Sequence, residues 1–273
     1  MKFDSEHARK VKKLWGQLKR EGGASPLPPV EDPMDQLMEG IFSNYAAESR
    51  AHSAVSRIRT ALVDLNELRV TPVSEIVEIV GADYPMGRGA AEELVRSLSS
   101  LFNRTHKTEL TFLTKQTRKG AETFLNRLDG LGAYAKATIL QRCFKAPIVP
   151  VDVHMMAFLK KGKFIPAEAG TEDVQKFLSA QVRDSETMSF FVHLKRHAAA
   201  HAPRKMMEYQ PPPRPVPVEI KPPVPVIPPK KGAVPARPIV AMKKEDVRKA
   251  QPVKAPKKAT APAGRASRTS ARR

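Results

Sequence analysis

Apolar residues recur along the first 210 positions at intervals of three and four, which is the period of one face of an α-helix. Two stretches follow this spacing closely: Met34, Leu37, Met38, Ile41 and Phe42, and then Leu94, Val95, Leu98, Leu101 and Phe102. Sustained alternation of apolar and polar residues, which would indicate strands, is missing from the sequence. The pattern predicts an all-α fold of roughly eight or nine short helices.

Helix boundaries are predicted where glycine, proline and capping residues interrupt this pattern. Asp32 followed by Pro33 is a good helix start, because proline in the first turn lacks only an N–H that would be unpaired there anyway. The interruptions fall at 22–29, at Thr71-Pro72, at 81–89, near Asn103, and at Pro147 and Pro150.

The end of the chain differs sharply in composition. Residues 211–273 hold 16 of the 47 Lys and Arg residues, three acidic residues and 15 of the 25 prolines, so they carry +13 of the total charge of +19. Such a segment buries too little apolar surface to fold, and residues 209–273 are predicted to form a disordered, partly polyproline arm. Its charge favours a polyanion, because each neutralised phosphate releases counterions. A solubilising or linker tail is the alternative.

Cysteine content and the amino terminus indicate the compartment. Cys143 is the single cysteine, which excludes a disulfide framework and favours reducing surroundings. The first residues, MKFDSEHARKVKKLW, are too charged for a secretory signal, and no apolar run approaches membrane-spanning length. We therefore expect an intracellular protein, cytoplasmic or nucleoid-associated, without a membrane partner.

Two glycines and an aspartate give the strongest chemical signal, in LDGLGAYAKATIL at 128–140 and PIVPVDVHMM at 147–156. Gly130 and Gly132 would allow a tight hairpin that approaches a ligand closely, and the following helix would direct free N–H groups at an anion. Asp152 then stands at the start of a second helix, where it could act as a base or a counter-charge. The structural alternative for Asp152 is a helix N-cap, and the two roles are compatible. Together these features indicate chemistry on DNA.

These stretches also resemble a known family. Leu128-Asp129-Gly130-Leu131-Gly132-Ala133-Tyr134 and Val151-Asp152-Val153-His154 are similar to the L-P-G-V-G-x-K and V-D-T-H motifs of the endonuclease III branch of the helix-hairpin-helix DNA glycosylase superfamily. DPMDQLMEGIFSNYA at 32–46 resembles the first core helix of that family, and the resemblance spans roughly residues 30–200. It implies two helical lobes with DNA across the cleft between them. Residues 31–145 would form a barrel ending in the hairpin, and 1–30 with 146–208 would form the second lobe.

The resemblance assigns roles to individual positions. Asp152 would be the catalytic carboxylate, which stabilises positive charge on the deoxyribose or activates the nucleophile. Tyr134 and His154 would line the active site. Tyr45 would either enter the space left by a flipped base or simply pack at a helix end. A DNA phosphate would be bound by Gly130, Leu131, Gly132 and Lys136.

Departures from the family pattern change the expected activity. Tyr134 stands where bifunctional members carry the Schiff-base lysine, and a phenol cannot form an imine with the sugar. One cysteine excludes a four-thiolate iron–sulfur cluster, so no cofactor is expected. His193, His197 and His201 follow one another at four-residue steps, but they could not converge on one ion without strain. Lys195 and Arg196 beside them favour a basic helix that faces DNA or solvent.

The sequence thus predicts a monomeric DNA glycosylase-like protein that acts on double-stranded DNA. It would hydrolyse the N-glycosidic bond of a damaged or mismatched base, in base excision repair, without lyase activity. Three alternatives stay open: a bifunctional glycosylase and AP lyase that uses another amine, a non-catalytic DNA-binding protein, and a nucleoid protein that acts through its tail.

Overall fold

The computed structural model describes residues 3–22, 27, 30 and 32–201 of the 273-residue chain, and over these residues the fold is all-α. The helices are α1 (Ser5–Glu21), α2 (Pro33–Ser43), α3 (Glu48–Ala61), α4 (Leu65–Val70), α5 (Val73–Val80), α6 (Gly87–Thr105), α7 (Arg118–Leu125), α8 (Ala133–Phe144), α9 (Val153–Lys161), α10 (Thr171–Gln181) and α11 (Thr187–His201). Short 3₁₀ helices lie at Thr111–Lys115 and Asp184–Glu186. The arm predicted over 209–273 lies outside the described residues.

Capping side chains explain where the observed helix boundaries agree with the predicted ones and where they differ. Asp32 caps α2 by accepting a hydrogen bond from the Met34 N–H at 2.9 Å, and Pro33 begins the helix, as predicted. The sequence pattern gave too few helices partly because it missed the break after Ala61. There Asp64 accepts hydrogen bonds from the N–H groups of Asn66 and Glu67, and its side chain begins α4.

A first hydrophobic core draws its buried side chains from residues 34–146. At its centre α2 packs closely against α8, and Gly40 makes this approach possible. A Cβ at Gly40 would lie 2.6 Å from the Thr138 hydroxyl and 3.2 Å from the Ala135 Cα. The close contact brings Ser43, at the end of α2, next to Tyr134, in the first turn of α8.

A second core joins α1 to the helices that follow residue 148. Trp15 packs against Phe190 with ring centroids 5.2 Å apart, and Phe3 stacks on Phe177 at 4.2 Å. Tyr134 belongs to this second core although it lies in α8. The proposed boundary between domains at 145 and 146 stays a prediction. None of the described helices has the length and apolar character needed to cross a membrane.

Candidate active site

Asp152 is a buried carboxylate with two different oxygen environments. Its side chain is the N-cap of α9, where Oδ1 accepts a hydrogen bond from the Met155 N–H at 2.7 Å. Its Oδ2 is also buried but accepts no hydrogen bond from the described part of the chain. One oxygen therefore caps the helix and the other takes no part in the cap, so the capping interpretation of Asp152 does not exclude a catalytic one.

Lys195, from α11, brings an ammonium group to this carboxylate. Its Nζ lies 3.4 Å from Asp152 Oδ2 and 3.0 Å from Glu48 Oε1. It also donates hydrogen bonds to the Ser43 carbonyl oxygen at 2.6 Å and to the Tyr134 hydroxyl at 2.7 Å. Only 5% of the residue is exposed, so the prediction that Lys195 lies on a DNA-facing or solvated helix surface is wrong. Its aliphatic stem packs within the apolar face of α11, and its charge meets the carboxylates inside.

The electrostatics of the pair follow from burial. Burial raises the pKa of Asp152, and the nearby Lys195 ammonium opposes this shift. Burial alone would lower the pKa of Lys195, but Tyr134, Asp152 and Glu48 outweigh it and raise the pKa above its usual value. Lys195 is therefore held as an ammonium, and the cluster consists of one cation between two carboxyl groups.

A cavity of about 270 Å³ opens beside this cluster. Its wall includes Ala46, Glu48, Asp152, His154, Lys195 and Arg196. The volume lies near the lower end of the range for small-molecule sites. A small ligand in this cavity would lie beside Glu48, Asp152 and Lys195.

Tyr134 lies deeper than the sequence predicted for a residue that lines the site. It is 3% exposed, and its hydroxyl accepts hydrogen bonds from Lys195 and, at 3.4 Å, from the Ser43 hydroxyl. Burial raises the pKa of Tyr134 to about 12, so the phenol keeps its proton at neutral pH. Tyr134 is absent from the wall of the cavity of about 270 Å³ and lines a smaller one, of about 10 Å³, together with Ser43 and Glu48. Its role as a lining residue stays a prediction.

Gly130 gives the hairpin between α7 and α8 the tight turn that the sequence predicts, but the backbone N–H of Gly132 already donates a hydrogen bond. Gly130 has φ +90°, and a Cβ there would lie 2.6 Å from the Arg96 Cβ. The Gly132 N–H donates to Glu93 Oε1 at 2.8 Å. Leu131 is buried in the first core. A phosphate that used the Gly132 N–H would have to share it with Glu93 or displace that carboxyl group.

Glu93 is a residue that sequence reasoning missed. Burial raises its pKa to about 7, and the Gly132 hydrogen bond and the charges of Lys136 and Arg96 oppose this rise. Glu93 also helps to raise the pKa of Tyr45 to about 12, after the larger contribution from burial. A carboxyl group with a raised pKa therefore lies beside the hairpin, close to Gly132 and Lys136, two of the predicted DNA-binding positions.

Tyr45 and His154 lie where α2 ends and α9 begins. A ring nitrogen of His154, Nε2, lies 3.3 Å from the Tyr45 carbonyl oxygen, and the Val153 N–H donates to the Asn44 carbonyl at 3.4 Å. His154 contributes to the cavity wall, whereas the Tyr45 side chain packs against the first core. The predicted role of Tyr45 in filling the space of a flipped base stays a prediction.

The three histidines of α11 make separate contacts. His193 packs edge-on against Trp15 at 5.8 Å, and the Nδ1 of His197 lies 3.2 Å from Glu21 Oε2. His201 stacks on His197 at 4.2 Å. No group of three or more metal-binding side chains occurs within the part of the chain that the structure covers.

Glu48 and Lys195 are the site residues that the sequence did not identify as such. The signal for Lys195 was present in its spacing, since it lies four residues after Phe191 and three before Ala198, both of which are buried. Glu48 begins α3 directly after the SNYA stretch, but nothing in the sequence near Glu48 predicts a buried lysine across the fold.

Comparisons with known proteins give matches only at the level of structure. No family model matches the chain, and no curated protein sequence matches it. An 8-oxoguanine glycosylase/lyase of Clostridium acetobutylicum, in complex with double-stranded DNA containing 8-oxoG, aligns with a TM-score of 0.51 at 13% identity, covering 73% of this chain and 71% of that one.

Endonuclease III structures with DNA align similarly. A trapped covalent intermediate and a non-covalent complex each give a TM-score of 0.50 at 14% identity, covering 71% of this chain and 85% of theirs. Identities this low show the fold alone. The aligned fold agrees with the presence of the hairpin between α7 and α8. The chain therefore has the fold of the helix-hairpin-helix DNA glycosylase superfamily, as its sequence motifs predicted.

Proposed function

We propose that this protein is a DNA glycosylase that hydrolyses the N-glycosidic bond of a damaged or mismatched base in double-stranded DNA. The observation that carries the proposal is the position of Asp152. Its Oδ1 caps α9, its buried Oδ2 accepts no hydrogen bond among the described residues, and the residue belongs to the wall of a cavity of about 270 Å³.

A carboxylate in this position suits glycosidic bond cleavage. As the base departs, the deoxyribose gains oxocarbenium character, and a fixed negative charge stabilises it without reorganisation of solvent. Asp152 is rigid because Oδ1 is tied to the Met155 N–H. The charge is therefore placed before the reaction begins.

Hydrolysis is favoured over the lyase reaction because of two residues. Tyr134 occupies the motif position of the Schiff-base lysine and offers a phenol with a pKa of about 12. The amine nearest to it, Lys195, is held in its protonated form and lacks the lone pair that attack on the sugar requires. Water activated at Asp152 is the nucleophile that this site can supply.

Binding to DNA is supported by charge and by the structural relatives. The aligned structures of the 8-oxoguanine glycosylase/lyase and of endonuclease III are complexes with DNA. Residues 211–273 add a charge of +13, which favours sequence-independent attraction to phosphates. We expect the protein to act as a monomer on duplex DNA.

The test uses the full chain on duplexes that carry uracil, oxidised pyrimidines, alkylated purines or mismatched thymine. Abasic sites are measured before and after alkali. We expect at least one duplex to be cut only after alkali, and we expect Asp152→Asn to abolish this release. Asp173→Asn, an exposed aspartate in the first turn of α10, is the matched control and should leave release unchanged.

Two results would overturn the proposal. Strand cuts without alkali, together with a borohydride-trapped adduct, would indicate a lyase. Absence of release from every duplex, with DNA binding retained, would indicate a binding protein without catalytic activity.

A further inference from the structure

The Lys195 ammonium contacts four residues of the candidate site, which a side chain with a packing role alone does not need. It lies in α11, 61 residues after Tyr134 and 152 residues after Ser43, yet it donates hydrogen bonds to both. Two carboxyl groups, from Glu48 and Asp152, lie within 3.4 Å of the same nitrogen. An ammonium has three N–H groups, and Ser43, Tyr134 and Glu48 supply one acceptor for each of them.

Burying such a cation is unfavourable unless opposite charges and acceptors surround it. The chain could have closed this gap with an apolar side chain, since Phe191, Leu194 and Ala198 around Lys195 are all buried and apolar. A charge retained here must therefore be balanced by the two carboxyl groups. Asp152 depends on Lys195 in the same way, because without Lys195 it would be a buried carboxyl group with no cation beside it.

We propose that Lys195 is the positioning residue of this site, whose ammonium keeps Asp152 ionised and holds Glu48 beside it. This inference rests on the proposed function, because an ionised Asp152 is what stabilises positive charge on the sugar. Lys195 acts through Asp152 and forms no bond to substrate.

The Tyr134 hydroxyl completes this arrangement. It accepts the hydrogen bond from Lys195, and it stands in the motif position where a second amine would otherwise lie. Two ammonium groups at this separation would repel each other, so a lysine at 134 and a protonated lysine at 195 are mutually unfavourable. Tyrosine at 134 is compatible with the charged Lys195.

Several titratable groups face the Lys195 and Asp152 pair and set its response to pH. They include Glu48, Tyr84, Tyr134, His154 and Arg196. Burial raises the pKa of Tyr84 and of Tyr134 above that of a free tyrosine, so both stay neutral between pH 5 and about 9.

The first test measures the charge coupling without any need for activity. Urea unfolding is followed from pH 5 to 8 for the wild type, Lys195→Met, Asp152→Asn and the double variant. Loss of the ammonium raises the folded-state pKa of Asp152, so Lys195→Met should lose stability as pH rises. Adding Asp152→Asn should remove that slope. If a single variant fails to fold, the double variant should still fold, because it has neither charge of the pair and leaves no unpaired charge buried.

The second test uses base release from the duplex that the wild type acts upon. We expect Lys195→Met to shift the acidic limb of the pH–rate profile upward by one pH unit or more, while the rate above the limb recovers. A structural role alone would lower the rate equally at every pH. Lys161→Met, an exposed lysine at the end of α9, is the matched control and should leave the profile unchanged.

The outcomes separate the inference from the proposed function. Parallel stability curves for Lys195→Met and its Asp152→Asn double variant would overturn the inference, whatever the activity. A borohydride-trapped adduct with abasic DNA that is present in the wild type and lost in Lys195→Met would also overturn it, because Lys195 would then be a nucleophile. If the pH slope of Lys195→Met disappears in the double variant but no duplex releases a base, the charge coupling of Lys195 and Asp152 is supported. Only the proposed function is then overturned.

Discussion

Lys195 donates a hydrogen bond of 2.7 Å to the hydroxyl of Tyr134, the residue that stands where the hairpin motif of the resembled family has its lysine. The site therefore contains an amine after all, but one that comes from α11 and is held by carboxyl groups. This relationship explains how a hairpin without its lysine can still have a positive charge at the same place.

Tyr134→Lys should convert part of the site to imine chemistry. The introduced amine would lie beside the Lys195 ammonium, and a like charge at this distance lowers the pKa of an amine. We expect a borohydride-trapped adduct with abasic duplex DNA for Tyr134→Lys. Tyr134→Phe, which keeps the ring without an amine, should give none. Equal trapping by both variants would show that the adduct forms elsewhere.

Replacement of Asp152 should separate its capping role from its chemical role. Asparagine caps helices about as well as aspartate, whereas alanine at an N-cap costs about 0.5–2 kcal/mol. Asp152→Asn should therefore lose the ion pair with Lys195 but keep the cap, and Asp152→Ala should be less stable than Asp152→Asn by about that capping energy. Equal losses in the two variants would mean that the bond to Met155 contributes little.

Glu93 should make the stability of the hairpin depend on pH. Burial raises its pKa from 4.5 to about 7, so the folded state binds the proton more tightly than the unfolded state. Its contribution to stability is then fully present below pH 4.5 and is lost as pH rises through 7. Relative to Glu93→Gln, the wild type should lose on the order of 1–3 kcal/mol of unfolding free energy across this interval.

The control for this measurement is Glu122→Gln, an exposed glutamate of α7. Its unfolding free energy should follow that of the wild type at each pH. If the curves of Glu93→Gln and the wild type also run parallel, the carboxyl group beside Gly132 has an ordinary pKa. In that case the hairpin donor is occupied by a fully ionised carboxylate.

Gly130→Ala should destabilise the hairpin. The residue has φ +90°, and an added Cβ would lie 2.6 Å from the Arg96 Cβ, so both the backbone and its neighbour must move. We expect a loss of about 1–3 kcal/mol in urea unfolding. Gly16→Ala is the control, because Gly16 is in the middle of α1 with open space around it. That substitution should stabilise the protein by about 0.5–1 kcal/mol, and a similar gain for Gly130→Ala would contradict the account.

Local signals explain what could be predicted from the sequence. Asp32 before Pro33 and Asp152 before Val153 are capping positions, and each caps its helix as its neighbours in the chain dictate. The glycines of the hairpin are equally local, since their conformational freedom follows from the missing Cβ. The all-α fold and the superfamily resemblance depend on such signals, and both agree with the structure.

The contacts of Glu93 and Lys195 could not be predicted because they are distant in sequence. Glu93 meets Gly132 across 39 residues, and Lys195 meets Tyr134 across 61. A lysine beside histidines and an arginine is typical of a solvated helix face, and only the packing of α11 against α9 and α1 turns Lys195 inward. The spacing of Lys195 on α11 is that of a buried position, but the partners that it meets are set by the whole fold.

Single-turnover base release by the wild type and by Asp152→Asn tests the central claim most directly. On a duplex that the wild type processes, alkali-labile sites should form at a rate at least about 100-fold higher than for Asp152→Asn, which is the usual scale for loss of a proton-transferring group. The binding affinity of the two proteins for that duplex should be equal. Equal rates of base release for the two proteins, or no base release by the wild type on any duplex, would contradict the claim that Asp152 catalyses glycosidic hydrolysis.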